Sequence, residues 1–255
     1  MFDRVFLANV RFMYWRTKRQ TFKEYSMKKF LLEVVGITPL MMDMMSEATL
    51  DGLDTGIRAP EQKDRPSVDK AKGKIYRTGD GVIALPIEML IGCLISGGQD
   101  VKNGKKQIST AKTTTLFDFL TILSVDLPLV DPNPVAGEVQ KNVAQEGDLA
   151  WVVDKRKGIG NQAKVPTAVC ITRPKFPRWG FSVEIEYDEK KINIDTLKKL
   201  FEVALSSKGL GAFRPNKRGP FGRSEVIKWT ELTDKKVKVE SSVDHNRIPE
   251  LAGAK

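Results

Sequence analysis

The stretch FSVEIEYD, residues 181–188, constrains the fold more than any other. Phe181, Val183, Ile185 and Tyr187 alternate with Ser182, Glu184, Glu186 and Asp188. That period of two marks a strand with one buried and one solvated face. The period then changes to that of a helix. Ile194, Leu197, Leu200, Phe201, Ala204 and Leu205 form one apolar stripe, with Asn193 or Asp195 as N-cap and Gly209 as C-cap. A second strand, SEVIKW at 224–229, closes the unit.

Earlier segments supply a matching half. KKFLLEVV, 28–35, reads as a strand ended by Gly36. In GVIALPIEMLIGCLISGG a short strand, Val82 to Leu85, leads into a helix over about 86–96. Pro86 suits its first turn, Leu90, Ile91, Leu94 and Ile95 form its apolar side, and Gly97 and Gly98 end it. LFDFLTILSVDLPLV starts as a helix and ends as a strand, and further strand candidates lie at 149–154 and 165–171. Two β-α-β halves folded into one antiparallel sheet, with helices on one face, give an α+β, ferredoxin-like (RRM-type) fold.

The 255 residues fit a single α+β domain over 27–232. The polar stretch 46–80 is expected to be a long, partly mobile insertion, and 233–255 a charged flexible tail. Residues 1–26 are basic and aromatic and differ in character from the rest of the chain. They are either an extension upstream of a true start at Met27, or a basic arm for nucleic acid or a membrane surface. No apolar run is long enough for a membrane span and no secretory signal is present, so a cytoplasmic protein without a membrane partner is expected.

Net charge is +10, which favours polyanionic partners if it is clustered. It is: residues 151–229 hold 17 Lys and Arg against 8 Asp and Glu. Two segments carry the excess. WVVDKRKGIGNQAKVPTAVCITRPKFPRW, 151–179, places Lys155, Arg156, Lys157, Lys164, Arg173, Lys175 and Arg178 around strand candidates, with Phe176, Trp179 and prolines interleaved. GLGAFRPNKRGPFGR, 209–223, contains Gly209, Gly211, Phe213, Arg214, Lys217, Arg218, Gly219, Phe221, Gly222 and Arg223.

The second segment is no dinucleotide fingerprint. Arg214 stands where a third glycine would be, and the loop follows a helix and precedes a strand. It is no P-loop either, because no Gly-Lys-Ser/Thr ends it. Two readings remain. In one, glycines and prolines shape a stiff turn with solvated charges. In the other, glycines allow close backbone approach, cations meet phosphates, and Phe213 or Phe221 stacks on a base or packs beneath the loop.

FLLEVVGITPL, GVIALPIEMLIGCLISGG and GLGAFRPNKRGPFG together resemble the RAMP superfamily. These are ferredoxin-like proteins that form RNA-binding backbone subunits of CRISPR effector complexes. The pieces match its first strand with a Thr-Pro turn, its strand and early helix, and its glycine-rich loop before the last strand. The final stretch is also similar to uncharacterised proteins of phages and other mobile elements. The resemblance implies nucleic-acid binding through Gly209, Gly211, Arg214, Arg218, Gly219, Gly222 and Arg223.

Catalysis is not expected. Endonuclease members of the family often use a histidine, and the one histidine, His245, lies in the tail. Glu184, Glu186 and Asp188 are expected to face solvent. Asp51, Asp54, Glu61 and Asp64 follow no metal-ligand spacing. Cys93 and Cys170 suit buried free thiols rather than a disulfide or zinc site. No cofactor or metal is expected. The partner is single-stranded DNA or RNA, held by a monomer, homo-oligomer or filament. The alternative is an assembly protein of a phage or plasmid that uses its charge on protein partners.

Overall fold

The computed structural model describes residues 27–57, 65–132, 143–146, 149–160 and 167–232. The expectations for 1–26, 233–255, Glu61, Asp64 and Lys164 lie outside those residues. In chain order the elements are β1 (Met27–Gly36), β2 (Leu40–Met41), α1 (Glu47–Thr55), α2 (Ser67–Lys72), β3 (Ala84–Pro86) and α3 (Ile87–Gly97). Next come β4 (Lys102–Asn103), β5 (Lys106–Gln107), α4 (Leu116–Phe119), β6 (Leu120–Ile122), β7 (Asp126–Pro128) and β8 (Val143–Glu146). The last elements are β9 (Leu149–Gly160), β10 (Thr167–Phe176), β11 (Gly180–Asp188), α5 (Ile194–Val203) and β12 (Ser224–Leu232).

The chain is α+β, and among the described residues its antiparallel strands divide among four sheets rather than the one expected. The central sheet has the order β12-β1-β11-β6. The chain visits it as β1, α3, β6, β11, α5, β12, so two strand-helix-strand halves interleave. Register aligns the apolar faces: Phe30, Leu32 and Val34 of β1 stand opposite Ile185, Val183 and Phe181 of β11. α5 lies over this face, with Leu197, Leu200 and Phe201 fully buried. Burying each such side chain contributes ~1.5–3 kcal/mol. Phe201 meets Trp229 edge-on at 5.5 Å between ring centroids, and Trp229 meets Phe30 at 6.0 Å.

α5 starts where Asn193 accepts a hydrogen bond from the Asp195 N–H. It ends one π-helical turn late, at Ala204–Lys208, where Gly209 takes a φ of 71°. That turn packs on α3. An added Cβ at Gly97 would lie 2.7 Å from the Ala204 Cβ, so only glycine permits the approach. The Cys93 thiol donates to the Ala204 carbonyl at 3.1 Å, and burial pushes its pKa up to about 12. The buried side of α3 is Leu90, Cys93, Leu94 and Gly97, with Ile91 and Ile95 at its margin. Pro86 ends β3 and caps α3 from outside, one place earlier than expected.

The second sheet, β2-β10-β9-β8, takes the strand candidates at 149–154 and 165–171. They form a long hairpin because each needs a nearby antiparallel partner, and a short connection supplies it. Trp151 and Phe176 anchor its base in the core. α2 packs on the hairpin, and Ala71 and Ile75 are buried, so the polar stretch 46–80 also feeds the core.

Two further expectations are corrected. Asp188 is buried rather than solvated, because its carboxylate accepts the Lys190 N–H at 3.0 Å and lies 3.7 Å from the Lys191 Nζ. Cys170 is exposed rather than buried, since it sits on the outer half of the hairpin.

Candidate nucleic-acid interface

The loop 209–223 lies along Ile37–Met41, the connection between the two large sheets. Ala212 N–H donates to the Met41 carbonyl at 2.7 Å and Gly222 N–H to the Pro39 carbonyl at 2.9 Å. The N–H groups of Ile37 and Thr38 both donate to the Arg223 carbonyl, and Arg223 N–H donates to the Thr38 hydroxyl at 2.9 Å. The Thr-Pro turn is thus the loop's cradle. Within the loop, Leu210 N–H donates to the Gly222 carbonyl at 2.8 Å.

The glycines serve this folding. A Cβ on Gly222 would overlap the Leu210 carbonyl oxygen, one on Gly211 the Met41 carbonyl oxygen, and one on Gly219 the Phe213 carbonyl oxygen. One on Gly209 would lie 2.8 Å from the Pro215 ring. The close backbone approach that the sequence suggested is therefore made to the protein's own chain. A short 3-10 turn, Pro215–Lys217, then leads to Arg218 at φ 61° and ψ 29°. This turn displays Lys217 and Arg218 outward, both exposed, as is Arg223.

The hairpin meets the loop at Arg156. The Arg156 guanidinium sits 4.8 Å from the Phe221 ring centroid and 5.4 Å from that of Phe213. The two rings are 6.1 Å apart. Asp154 fixes the guanidinium from below, accepting from Nε at 2.6 Å and from Nη2 at 3.3 Å. Neighbouring residues on a strand point to opposite faces. Lys155 and Lys157 therefore face away from the loop.

The structure sorts the sequence-predicted cations into two groups. Arg156 and Lys175 share Asp154, Arg173 pairs with Asp43, and Arg178 pairs with Asp131. Arg214, half-buried, donates to the Gly211 carbonyl at 2.7 Å and ties the loop to itself. Lys155, Lys157, Lys217, Arg218 and Arg223 are exposed and make no ion pair among the described residues. Phe176 and Trp179 are fully buried, so neither is a stacking platform; the Trp179 indole donates to the Thr38 carbonyl at 2.8 Å.

Asp43 is a residue that sequence reasoning missed. It accepts from Lys74 at 2.8 Å and from Arg173 Nε at 2.7 Å. Half-burial pushes its pKa up, but the hydrogen bonds and charges of Lys74 and Arg173 outweigh this and hold it below the ordinary 3.8. Asp154 had a readable signal, as the only acid in the basic run 151–179.

No family model and no curated protein matches the chain. Solved structures do. The fold is similar to Type III-B CRISPR Cmr proteins. One is a chain of a Cmr-beta complex bound to cognate target RNA, at 13% identity and a TM-score of 0.46. The match covers 81% of this chain and 61% of that one, so the chain spans less than two thirds of the length of that relative. Another is Cmr6 from Pyrococcus furiosus, at 12% identity and a TM-score of 0.35, covering 79% of this chain and 99% of that one. These values record a likeness of shape alone. Among the described residues no helix is long and apolar enough to cross a membrane.

Proposed function

We propose that this chain is a non-catalytic, sequence-tolerant binder of single-stranded nucleic acid that grips the strand at the loop 209–223. Its central sheet is read as a ferredoxin-like core of the RAMP type, on the strength of its β-α-β-β-α-β order. One observation carries the functional reading. Lys217, Arg218 and Arg223 are displayed without acidic partners beside the half-exposed rings of Phe213 and Phe221. The Arg156 clasp holds that surface rigid. Uncommitted cations beside aromatic faces are what a single strand needs, phosphates on one and bases on the other.

The loop contains no carboxylate and no histidine that could move a proton, so binding rather than catalysis is proposed. The sequence resemblance to RAMP proteins makes RNA the first strand to test. Arg156, Arg173, Lys175, Arg178 and Arg214 act as structural cations in this reading.

The test is the variant Lys217→Glu/Arg218→Glu/Arg223→Glu. All three side chains are exposed, so folding should be unchanged. Affinity should fall by more than ~100-fold at moderate salt, since three phosphate contacts become repulsive. Undiminished binding in a folded variant would move the site elsewhere.

A further inference from the structure

The most exposed aromatic ring among the described residues plays no part in the loop. α4 is held to the core by Leu116 and Phe119, three apart on one face and both buried. Phe117, between them, is turned outward and is 62% exposed. A ring left in water forgoes the gain of burial, so Phe117 calls for a flat apolar cover. The charge beside it says of what kind. VKNGKKQI, 101–108, has apolar ends and a cationic middle, and 101–117 contains no Asp or Glu. Val101 and Ile108 are buried, and Ile108 N–H donates to the Val101 carbonyl at 3.0 Å. From that anchor β4 and β5 project as a short hairpin, turning at Gly104 with a φ of 64°. Lys102, Lys105 and Lys106 are exposed on it and make no ion pair among the described residues.

Lys191 ties the two features together. Its carbonyl accepts from the Asn103 side chain at 2.8 Å, and its Nζ donates to the Asp118 carbonyl at 2.6 Å. The Gln107 side chain donates to the Gln99 carbonyl at 2.7 Å, so the β4–β5 hairpin is pinned on both flanks. The lysines and Phe117 therefore share one end of the core, and it is not the loop's end. The loop lies where β11 begins, since Gly180 pairs with Val35 and Gly36 with Ser224. Lys191 follows Asp188, where β11 ends. The strand between spans ~26 Å at 3.3 Å per residue. α3 joins the two surfaces. Asn216 of the loop donates to the Ser96 hydroxyl near the end of α3 at 3.4 Å, and the chain then runs into β4.

We propose that the β4–β5 hairpin and Phe117 form a second contact for the same single strand, so that the strand is held at both ends of the central sheet. Lys102, Lys105 and Lys106 meet phosphates, and a base stacks on Phe117. Unpaired cations beside an exposed ring suit a single strand and no duplex, whose bases are already stacked. The inference rests on the loop as the first contact. It adds a length requirement that the loop alone does not impose.

The experiment is fluorescence anisotropy of the full chain with labelled oligouridylates of ~6 and ~20 nucleotides, across a salt series. Lys102→Gln/Lys105→Gln/Lys106→Gln should weaken binding of the long strand by ~10-fold or more and lower its salt slope by about 2 in magnitude. Phe117→Ala should weaken it by ~5- to 100-fold and leave the slope unchanged, because stacking releases no counterions. Both should leave the short strand, which the loop still holds, within ~3-fold. All four side chains are exposed, so folding is not at stake. Long-strand affinity and slope unchanged in both variants would overturn the second contact and leave the loop standing; a protein partner on this surface would give that result. Equal losses for short and long strands would overturn the two-ended hold. Failure of the loop reads differently: Lys217→Glu/Arg218→Glu/Arg223→Glu would then bind both strands as the unaltered chain does.

Discussion

Substituting Gly222 with alanine tests whether the loop's glycines serve its own packing. Gly222 has a φ of 74°, and an added Cβ would overlap the Leu210 carbonyl oxygen, 2.9 Å from its carbon and 3.0 Å from the Leu210 nitrogen. Gly104, in the turn between β4 and β5, is the control. Its φ is 64°, yet an added Cβ there meets nothing within 4 Å. Left-handed backbone alone costs alanine ~1–2 kcal/mol, which is the whole expectation for Gly104→Ala. Gly222→Ala incurs the same strain and must also open two hydrogen bonds, Leu210 N–H to the Gly222 carbonyl and Gly222 N–H to the Pro39 carbonyl. At ~0.5–1.5 kcal/mol per bond the total is roughly 2–5 kcal/mol. Urea unfolding at equal m-values gives the comparison. If the two variants cost the same within ~0.5 kcal/mol, the steric explanation of the loop is wrong.

Further expectations concern single side chains. Arg156→Lys keeps the charge but loses the planar, two-point hold on Asp154 and the rings, so it should cost nearly as much as Arg156→Ala, ~1–2 kcal/mol by urea unfolding; full retention by lysine would contradict the clasp. Asp43→Asn leaves Lys74 and Arg173 facing each other without their carboxylate and should cost ~1–3 kcal/mol at neutral pH. Because the Asp43 pKa is lowered on folding, its stabilisation is present above its ordinary 3.8 and fades as pH falls through the lowered value, so the variant should show a shallower acid limb. A thiol reagent at mild alkaline pH should label Cys170 and spare Cys93 in the folded protein, with both labelled in denaturant. The Cys93 pKa is raised on folding, so its contribution is complete below about 9.0 and is lost as pH climbs towards about 12; Cys93→Ala should remove that part of the alkaline limb.

The central sheet was legible because its residues repeat with one period over several turns or pleats. FSVEIEYD, KKFLLEVV and the α5 stripe bury one face each, and their spacing states it directly. The second sheet was less so. The outer half of β9 carries Lys155, Arg156, Lys157 and Gly158, with both lysines exposed, and hydrophobic periodicity reports only burial. The split among the cations was also hidden. Arg173 finds Asp43 across 130 positions and Arg178 finds Asp131 across 47, contacts that only the folded chain creates. Asp188 escaped its strand pattern because a turn at the strand's end needs its carboxylate. The loop's glycines were visible, but what they approach depends on the Thr-Pro connection folding beneath them.

Strand binding itself is best measured by fluorescence anisotropy of the full chain with labelled single-stranded RNA, single-stranded DNA and duplex across a salt series. Single-strand binding should weaken steeply with salt, with a log–log slope of about 2 in magnitude from Lys217, Arg218 and Arg223, and duplex should bind more weakly. The order of RNA and DNA then names the substrate. Absence of single-strand binding at low salt would contradict the proposed function. It would leave GLGAFRPNKRGPFGR as a stiff turn with solvated charges.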